Sequence, residues 1–384
     1  MDPVVHLLKG LVAIDSVNPA LVPGAAGESA VARALAEQMR SLGLTVHIQE
    51  VSDDRPNVVG VLDGRAPGRC LMFCGHIDTV GVAGMSRPFD PVERDGRVYG
   101  RGSQDMKSGV AAMVDAGRVL QQSGGLEQGQ LIVACVVDEE HASIGADALV
   151  TRWRADGAVV TEPTDLAIAI AHKGFEWVEI ETEGVAAHGS RPADGRDAIR
   201  LMGRVLTELD ALDRSLQSRG THPLLGTASL HASLIQGGRE LSSYPDRCHL
   251  QMERRTIPGE APGSAAREVA EILGRLSAAD PAFKGSSRQM FARSPYQIAT
   301  EHPFVAAVQE ARSSCHTVAD GTPALIGMSF WTDASVLGDA GIPSVLFGPS
   351  GAGLHGVEEW VDVASVITCR DVLVELARSW CSGR

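Results

Sequence analysis

A chain of 384 residues is too long for one ordinary hydrophobic core and predicts two or three domains. Its 44% hydrophobic and 21% charged residues are globular in balance, and no apolar run approaches the roughly 20 residues of a membrane span, which argues against a membrane partner. A formal net charge of −14 repels nucleic acid and acidic lipid, so polyanion partners are set aside as well.

At the amino terminus an acid, Asp2, stands where a secretory signal carries basic residues, and Val4, Leu8, Leu11 and Val12 fit a helical stripe; a cytoplasmic protein is expected. The seven cysteines are scattered, and Cys70 with Cys74 lacks the second pair of a zinc ribbon, so reduced, buried thiols are expected. Val31, Leu35 and Met39 predict a helix within 28–42, and Leu44, Val46 and Ile48 then alternate as in a strand. Runs at 58–62, 70–74, 131–137 and 158–160 predict strands of an α/β sheet covered on both faces, with a helix over 106–120 between them. From residue 175 the texture changes to strand 175–183, helix 197–211, strands 228–236 and 246–253, helix 263–277 and strand 283–291. That order is βαββαβ, a ferredoxin-like split unit. A short strand at 342–347 and a closing helix at 361–376 return to the first pattern, which makes the second domain an insertion.

Chemistry gathers in five segments: Cys74-Gly-His76-Ile-Asp78-Thr-Val80, Gly100-Arg-Gly-Ser-Gln-Asp105-Met-Lys107, Asp138-Glu139-Glu140-His141, Thr161-Glu162-Pro163-Thr164 and Leu354-His355-Gly356. Two histidines and three carboxylates, with no cysteine, suit Zn²⁺, Co²⁺ or Mn²⁺. Two such ions bring four positive charges, which three carboxylates and one bridging hydroxide neutralise, so the set reads as a two-metal hydrolytic site. His76, Glu139, Glu140 and Glu162 each follow the carboxyl end of an apolar run, where open α/β sheets collect ligands.

Each segment also carries a local expectation. In His76-Ile77-Asp78 the polar side chains alternate with an apolar one, so Asp78 is expected to reach the second imidazole nitrogen and fix its tautomer. Gly100 to Gly109 lacks both nucleotide-loop spacings, and its glycines instead present Asp105, whose two oxygens can bridge two ions. Glu139 and Glu140, in an extended segment, would point opposite ways, one toward metal and the other toward substrate water as a base. Pro163 holds Glu162 extended, and His355 ends a glycine-rich loop that lets backbone approach a ligand. In the insertion, His188 reads as a turn histidine. One guanidinium of Arg254-Arg255 could clamp a substrate carboxylate, the other being surface charge.

Taken in order, these segments, together with His188-Gly-Ser-Arg-Pro192 and Arg255-Thr-Ile-Pro-Gly259, resemble over nearly the whole length the family of di-zinc deacylases and exopeptidases. That family includes acetylornithine deacetylase, succinyl-diaminopimelate desuccinylase, aminoacylase and glutamate carboxypeptidase. The resemblance implies a zinc-exopeptidase-like catalytic domain, 1–173 and 293–384, with a mixed sheet and helices on both faces, and an inserted lid and dimerisation domain, 174–292. It implies that Asp105 bridges two ions, most simply Zn²⁺, with His76 and Glu162 completing one site and Glu140 and His355 the other. Glu139 would be the general base and Asp78 its catalytic companion beside His76; Arg255 would bind substrate. His188 would reach the partner subunit's site in a homodimer to stabilise the oxyanion. The activity implied is hydrolysis of an N-acyl amino acid amide by metal-bound hydroxide, with a carboxypeptidase or dipeptidase acting on short peptides as the alternative. Ser242 and Ser243 stand where relatives often carry a substrate-binding asparagine, a departure that bears on the substrate rather than the metals.

Overall fold

The computed structural model describes residues 2–315 and 324–383. Asp2 caps helix α1 (Pro3–Val12) by accepting the Val4 N–H at 3.0 Å, and Pro3 occupies a first-turn position that needs no donor. There follow α2 (Ser29–Ser41), β1 (Thr45–Ser52), β2 (Arg55–Asp63), β3 (Ala66–His76), β4 (Val92–Arg94), β5 (Arg97–Tyr99), α3 (Lys107–Gln122), β6 (Gln128–Val136), α4 (Ile144–Arg152), β7 (Gly157–Val160) and β8 (Ile168–His172). The middle of the chain is β9 (Gly174–Glu183), α5 (Ala198–Ser218), β10 (Ser229–Gly237), β11 (Arg247–Thr256), α6 (Ser264–Ala279) and β12 (Gly285–Arg293). It closes with β13 (Tyr296–Gln297), α7 (Pro303–Ser314), β14 (Leu325–Met328), α8 (Ala334–Asp339), β15 (Ser344–Leu346), β16 (Gly351–Ala352), β17 (Trp360–Asp362) and α9 (Val363–Cys381).

The chain divides into two compact units, one of Met1–Ile170, Ile298–Ile326 and Thr332–Arg384, the other of Ala171–Gln297 and Gly327–Trp331. The crossings lie a few residues from the expected 173/174 and 292/293, and the stretch Gly327–Trp331 joins the second unit, which the sequence did not signal.

In the first unit the strand order runs β1-β2-β6-β3-β7-β15-β8. The inner strands β6, β3, β7 and β15 are parallel and the outer pairs antiparallel, so the sheet is mixed. Both faces are covered, which is why Leu71–Cys74 and Leu131–Val136 are continuous buried apolar runs rather than alternating ones. Alternation in β2 shows the two layers: Gly60 lets Met39 of α2 approach on one side, while Asn57 donates to the Gly145 carbonyl of α4 on the other. A small sheet, β16-β17-β5-β4, lies in the same unit. Its strands of two or three residues are too short to register as a sequence pattern.

The second unit is an antiparallel sheet in the order β10-β11-β9-β12, the arrangement a ferredoxin-like split unit requires. Cys248, Leu250 and Met252 of β11 face the core that Val178, Ile180 and residues of α5 and α6 complete. Arg254 falls in phase with them and is fully buried, held by Glu260 at 2.6 Å and Glu268 at 3.1 Å. The expectation of a surface charge is therefore wrong for Arg254, which is a paired core cation. None of the seven cysteines is in a disulfide, as expected, but Cys70 and Cys315 are only half-buried. Among the described residues no helix is long and apolar enough to cross a membrane.

His172, also in this unit, is fully buried with Nδ1 at 2.9 Å from the Lys173 carbonyl, and burial lowers its pKa to about 4. The unfolded chain, with a histidine of ordinary pKa, binds more protons than the folded one between about pH 4 and 6.5, so stability falls as pH drops through that window. His172→Gln should remove on the order of 3 kcal/mol of acid destabilisation. Urea unfolding of both proteins at pH 7 and pH 4 measures it, and equal pH slopes would refute it.

Candidate metal centre

Carboxyl ends of the parallel strands deliver the polar groups. His76 ends β3, Asp138-Glu139-Glu140 follow β6, Glu162 follows β7, and the loop after β15 leads to His355. Close approach is built into two glycines, since a Cβ on Gly109 would overlap the Thr161 carbonyl and one on Gly348 the Glu162 carbonyl. The acidic pair sits in a turn and not in an extended segment, because Asp138 adopts φ 69°. The two side chains diverge all the same: Glu139 Oε2 lies 4.0 Å from His76 Nε2, and Glu140 Oε2 3.1 Å from His355 Nε2.

Asp105 occupies the middle. Its Oδ1 is 3.0 Å from His76 Nε2 and its Oδ2 is 3.3 Å from His355 Nε2. Glu162 Oε1 is 3.8 Å from His76 Nε2. Ligand atoms of His76, Glu139 and Glu162 lie within 4.8 Å of one another, as do those of His76, Asp105 and Glu140, so each group could hold an ion. The donor set is nitrogen and carboxylate oxygen without sulfur, and the buried Glu140 Oε1 has no hydrogen-bond partner, so the residues fit a pair of borderline divalent cations.

Electrostatics agree with a site built for positive charge. Burial and neighbouring carboxylates push the Glu139 and Glu162 carboxyls well above their ordinary range and Glu140 up to about 7. For Asp105 burial acts upward too, but hydrogen bonds from His355 and His76 outweigh it and hold the carboxyl below its ordinary value. His355 is raised to about 10 by Asp105 and Glu140, and its side chain is half exposed. Cations among these acids would relieve the crowding and displace protons.

The support around the ligands is wider than the expected picture. His76 Nδ1 is 3.1 Å from the Asp78 main-chain carbonyl, nearer than the 3.5 Å to Asp78 Oδ1. The Asp78 carboxylate, beside the His76 ring, also accepts the Glu139 N–H at 3.1 Å, the Glu140 N–H at 3.2 Å and Asn18 Nδ2 at 2.8 Å. Glu359 does the equivalent for the Asp105 loop, accepting the N–H groups of Gly102, Gln104 and Asp105 and Arg101 Nη1 at 2.7 Å. Lys107 is engaged by the Leu11 and Ile14 carbonyls at the end of α1. Asp333, at the start of α8, is a further buried acid whose charge raises the Glu139 and Glu162 carboxyls. Asn18, Glu359 and Asp333 belong to none of the five segments.

Of the remaining predicted residues, His188 is exposed in the second unit with Nδ1 at 2.8 Å from Ser190 Oγ, and its backbone bridges to Ser243. Arg255 faces the side of β11 opposite Arg254, with Nε 2.7 Å from Glu253 and its guanidinium over the Phe175 ring.

A mixed α/β sheet whose parallel strands end in a two-histidine, multi-carboxylate cluster defines a hydrolase of linear amides, and comparison with known proteins gives the same class. Residues 72–379 match the family described as peptidase family M20/M25/M40, and the chain belongs to it. It is 28% identical to N-formyl-4-amino-5-aminomethyl-2-methylpyrimidine deformylase of Bacillus subtilis, covering 100% of this chain and 96% of that protein. It is 29% identical to acetylornithine deacetylase of Myxococcus xanthus, over 90% and 91% of the two chains. The fold is shared with a dinuclear metal-binding M20 peptidase from Bacillus subtilis, at TM-score 0.73 and 16% identity over 97% and 96% of the chains.

Proposed function

We propose that this protein is a two-metal amidohydrolase that cleaves the amide of an N-acyl amino acid. The observation that carries the reading is the position of Asp105, one oxygen toward His76 and the other toward His355. On this reading His76 and Glu162 would hold one ion, Glu140 and His355 the other, and Asp105 would serve both. The nitrogen and oxygen donors favour Zn²⁺, with Co²⁺ or Mn²⁺ as substitutes. When bound, such a pair supplies Lewis acidity toward the amide carbonyl and lowers the pKa of a water molecule. Glu139 is the general base: its carboxyl, which burial raises well above the ordinary carboxylate range, takes the water proton and returns it to the leaving amine. Asp78 holds His76 and the Glu139-Glu140 turn in register.

In the second unit, Arg255 recognises the substrate carboxylate, with about a third of its side chain exposed (32%). His188 is assigned to the oxyanion of a partner subunit's site. Support for a homodimer through this unit comes from β10, an edge strand whose Leu234 and Ile235 are 66% and 55% exposed. Such a dimer, working in the cytoplasm, should appear in sedimentation equilibrium; an active monomer would remove the trans role of His188.

The M20 peptidase fold supports a second reading, a carboxypeptidase or dipeptidase with the same metal centre. A panel of N-acetyl and N-formyl amino acids and dipeptides, tested with Zn²⁺ or Co²⁺, separates the two. The first reading expects turnover of acylated amino acids; turnover of dipeptides alone gives the second, and inertness across the panel with both ions bound contradicts both.

A further inference from the structure

Asn18 lies between α1 and α2, 58 residues before His76 in the chain by their numbering, yet its side chain ends at the support of the metal centre. The backbone fixes its place: the Asn18 N–H donates to the Thr79 carbonyl at 2.9 Å, and the Thr79 N–H donates to the Ser16 carbonyl at 3.0 Å. The two hydrogens of Nδ2 go to two different buried carboxylates, Asp78 Oδ2 at 2.8 Å and Asp138 Oδ1 at 3.0 Å. Its Oδ1 accepts the Ala20 N–H at 2.9 Å and Arg55 Nη2 at 3.2 Å, so the amide is fully engaged.

What stands beyond each carboxylate gives this bridge its reach. Asp78 accepts the N–H groups of both Glu139 and Glu140 and lies beside His76 Nδ1. Asp138, in the left-handed region at φ 69°, is also held by Arg55 at 2.8 Å, and Arg55 is clasped by Glu28 through Nε at 2.8 Å and Nη2 at 2.5 Å. A short side chain that donates twice and accepts twice is required here. Aspartate would place a third negative charge between two others, serine donates once, and alanine leaves both buried oxygens short of a donor.

We propose that Asn18 is a positioning residue for the metal centre: by tying Asp78 to Asp138 it sets the His76 ring and the Glu139-Glu140 turn as one rigid piece. The inference rests on the two-metal reading above. Hydrogen-bond partners of ligands typically govern metal affinity by about 10- to 100-fold, and Asn18 acts on that scale through Asp78, which stands beside His76 and holds the Glu140 N–H.

The test is Co²⁺ titration of the full-length protein against a chromophoric chelator, with the visible Co²⁺ spectrum recorded, for wild type, Asn18→Ala and Asn18→Asp. Both variants should bind Co²⁺ about 10- to 100-fold more weakly with altered band positions. At saturating metal they should lose kcat on the panel substrate with little change in KM. A residue serving only the fold would lower the urea midpoint and leave the affinity, spectrum and kcat of the folded protein as in wild type, and that result overturns the proposal. Asn18→Ser, which keeps one donor and should fall between wild type and alanine, carries the same test if Asn18→Asp does not fold. Wild-type protein that binds no pair of Co²⁺ ions sinks the two-metal reading, and this inference with it; wild-type binding matched by the variants sinks this inference alone.

Discussion

Replacing Glu139 by glutamine should lower kcat by about 10²- to 10⁴-fold while the protein keeps its full complement of divalent metal. The variant preserves shape and removes only the ability to take a proton, so a general base and a metal ligand give different results. Geometry leaves both roles within reach, because Glu139 groups with His76 and Glu162 closely enough to hold an ion. Its raised carboxyl suits the base, since burial and the neighbouring Glu162, Asp333 and Glu140 charges bring proton affinity toward that of the water it must deprotonate. Metal analysis beside steady-state kinetics decides the matter. Joint loss of metal and turnover would make Glu139 a ligand, and unchanged turnover would remove it from the chemistry.

The second large effect is on stability. Glu359 is almost fully buried and has two duties: it neutralises Arg101, itself buried, and it accepts three N–H groups of the loop that presents Asp105. Glu359→Ala leaves the Arg101 charge uncompensated and strips the N–H groups of Gly102, Gln104 and Asp105 of their acceptor. Breaking a buried pair from one side costs about 3–5 kcal/mol, a large share of the roughly 5–15 kcal/mol that holds a protein folded. A fall of that size in urea-derived stability is expected, with weaker metal binding as the Asp105 loop loosens. A change under about 1 kcal/mol, on the scale of an exposed pair, would show that the loop is held by other contacts.

Legibility from sequence followed the range of the interactions. His76, Asp105, Glu139, Glu140, Glu162 and His355 were readable because each sits in a short motif at a strand end or glycine loop, and the structure brings those motifs to one sheet edge. The covered sheet and the βαββαβ order were readable from apolar periodicity, and the mixed character of the sheet from the family resemblance. Asn18 and Glu359 were not: each is a single polar residue whose contacts with the support of the site reach across 60 or more positions in sequence, up to 258 between Glu359 and Arg101, and no local pattern marks such a pairing. Asp78 was read as the partner of His76, which it stands beside, but its further hold on the backbone of the acidic turn was not legible, because that turn depends on the left-handed Asp138. Arg254 was misplaced although a signal existed. The alternation of Cys248, Leu250 and Met252 carries it onto the covered face and puts Arg255 on the other.

Anomalous diffraction from crystals grown with Zn²⁺, collected on either side of the zinc absorption edge, tests the central claim most directly. Two peaks should flank Asp105, one beside His76 and Glu162 and the other beside Glu140 and His355. A single peak, or zinc bound elsewhere with these side chains apart, would contradict the account.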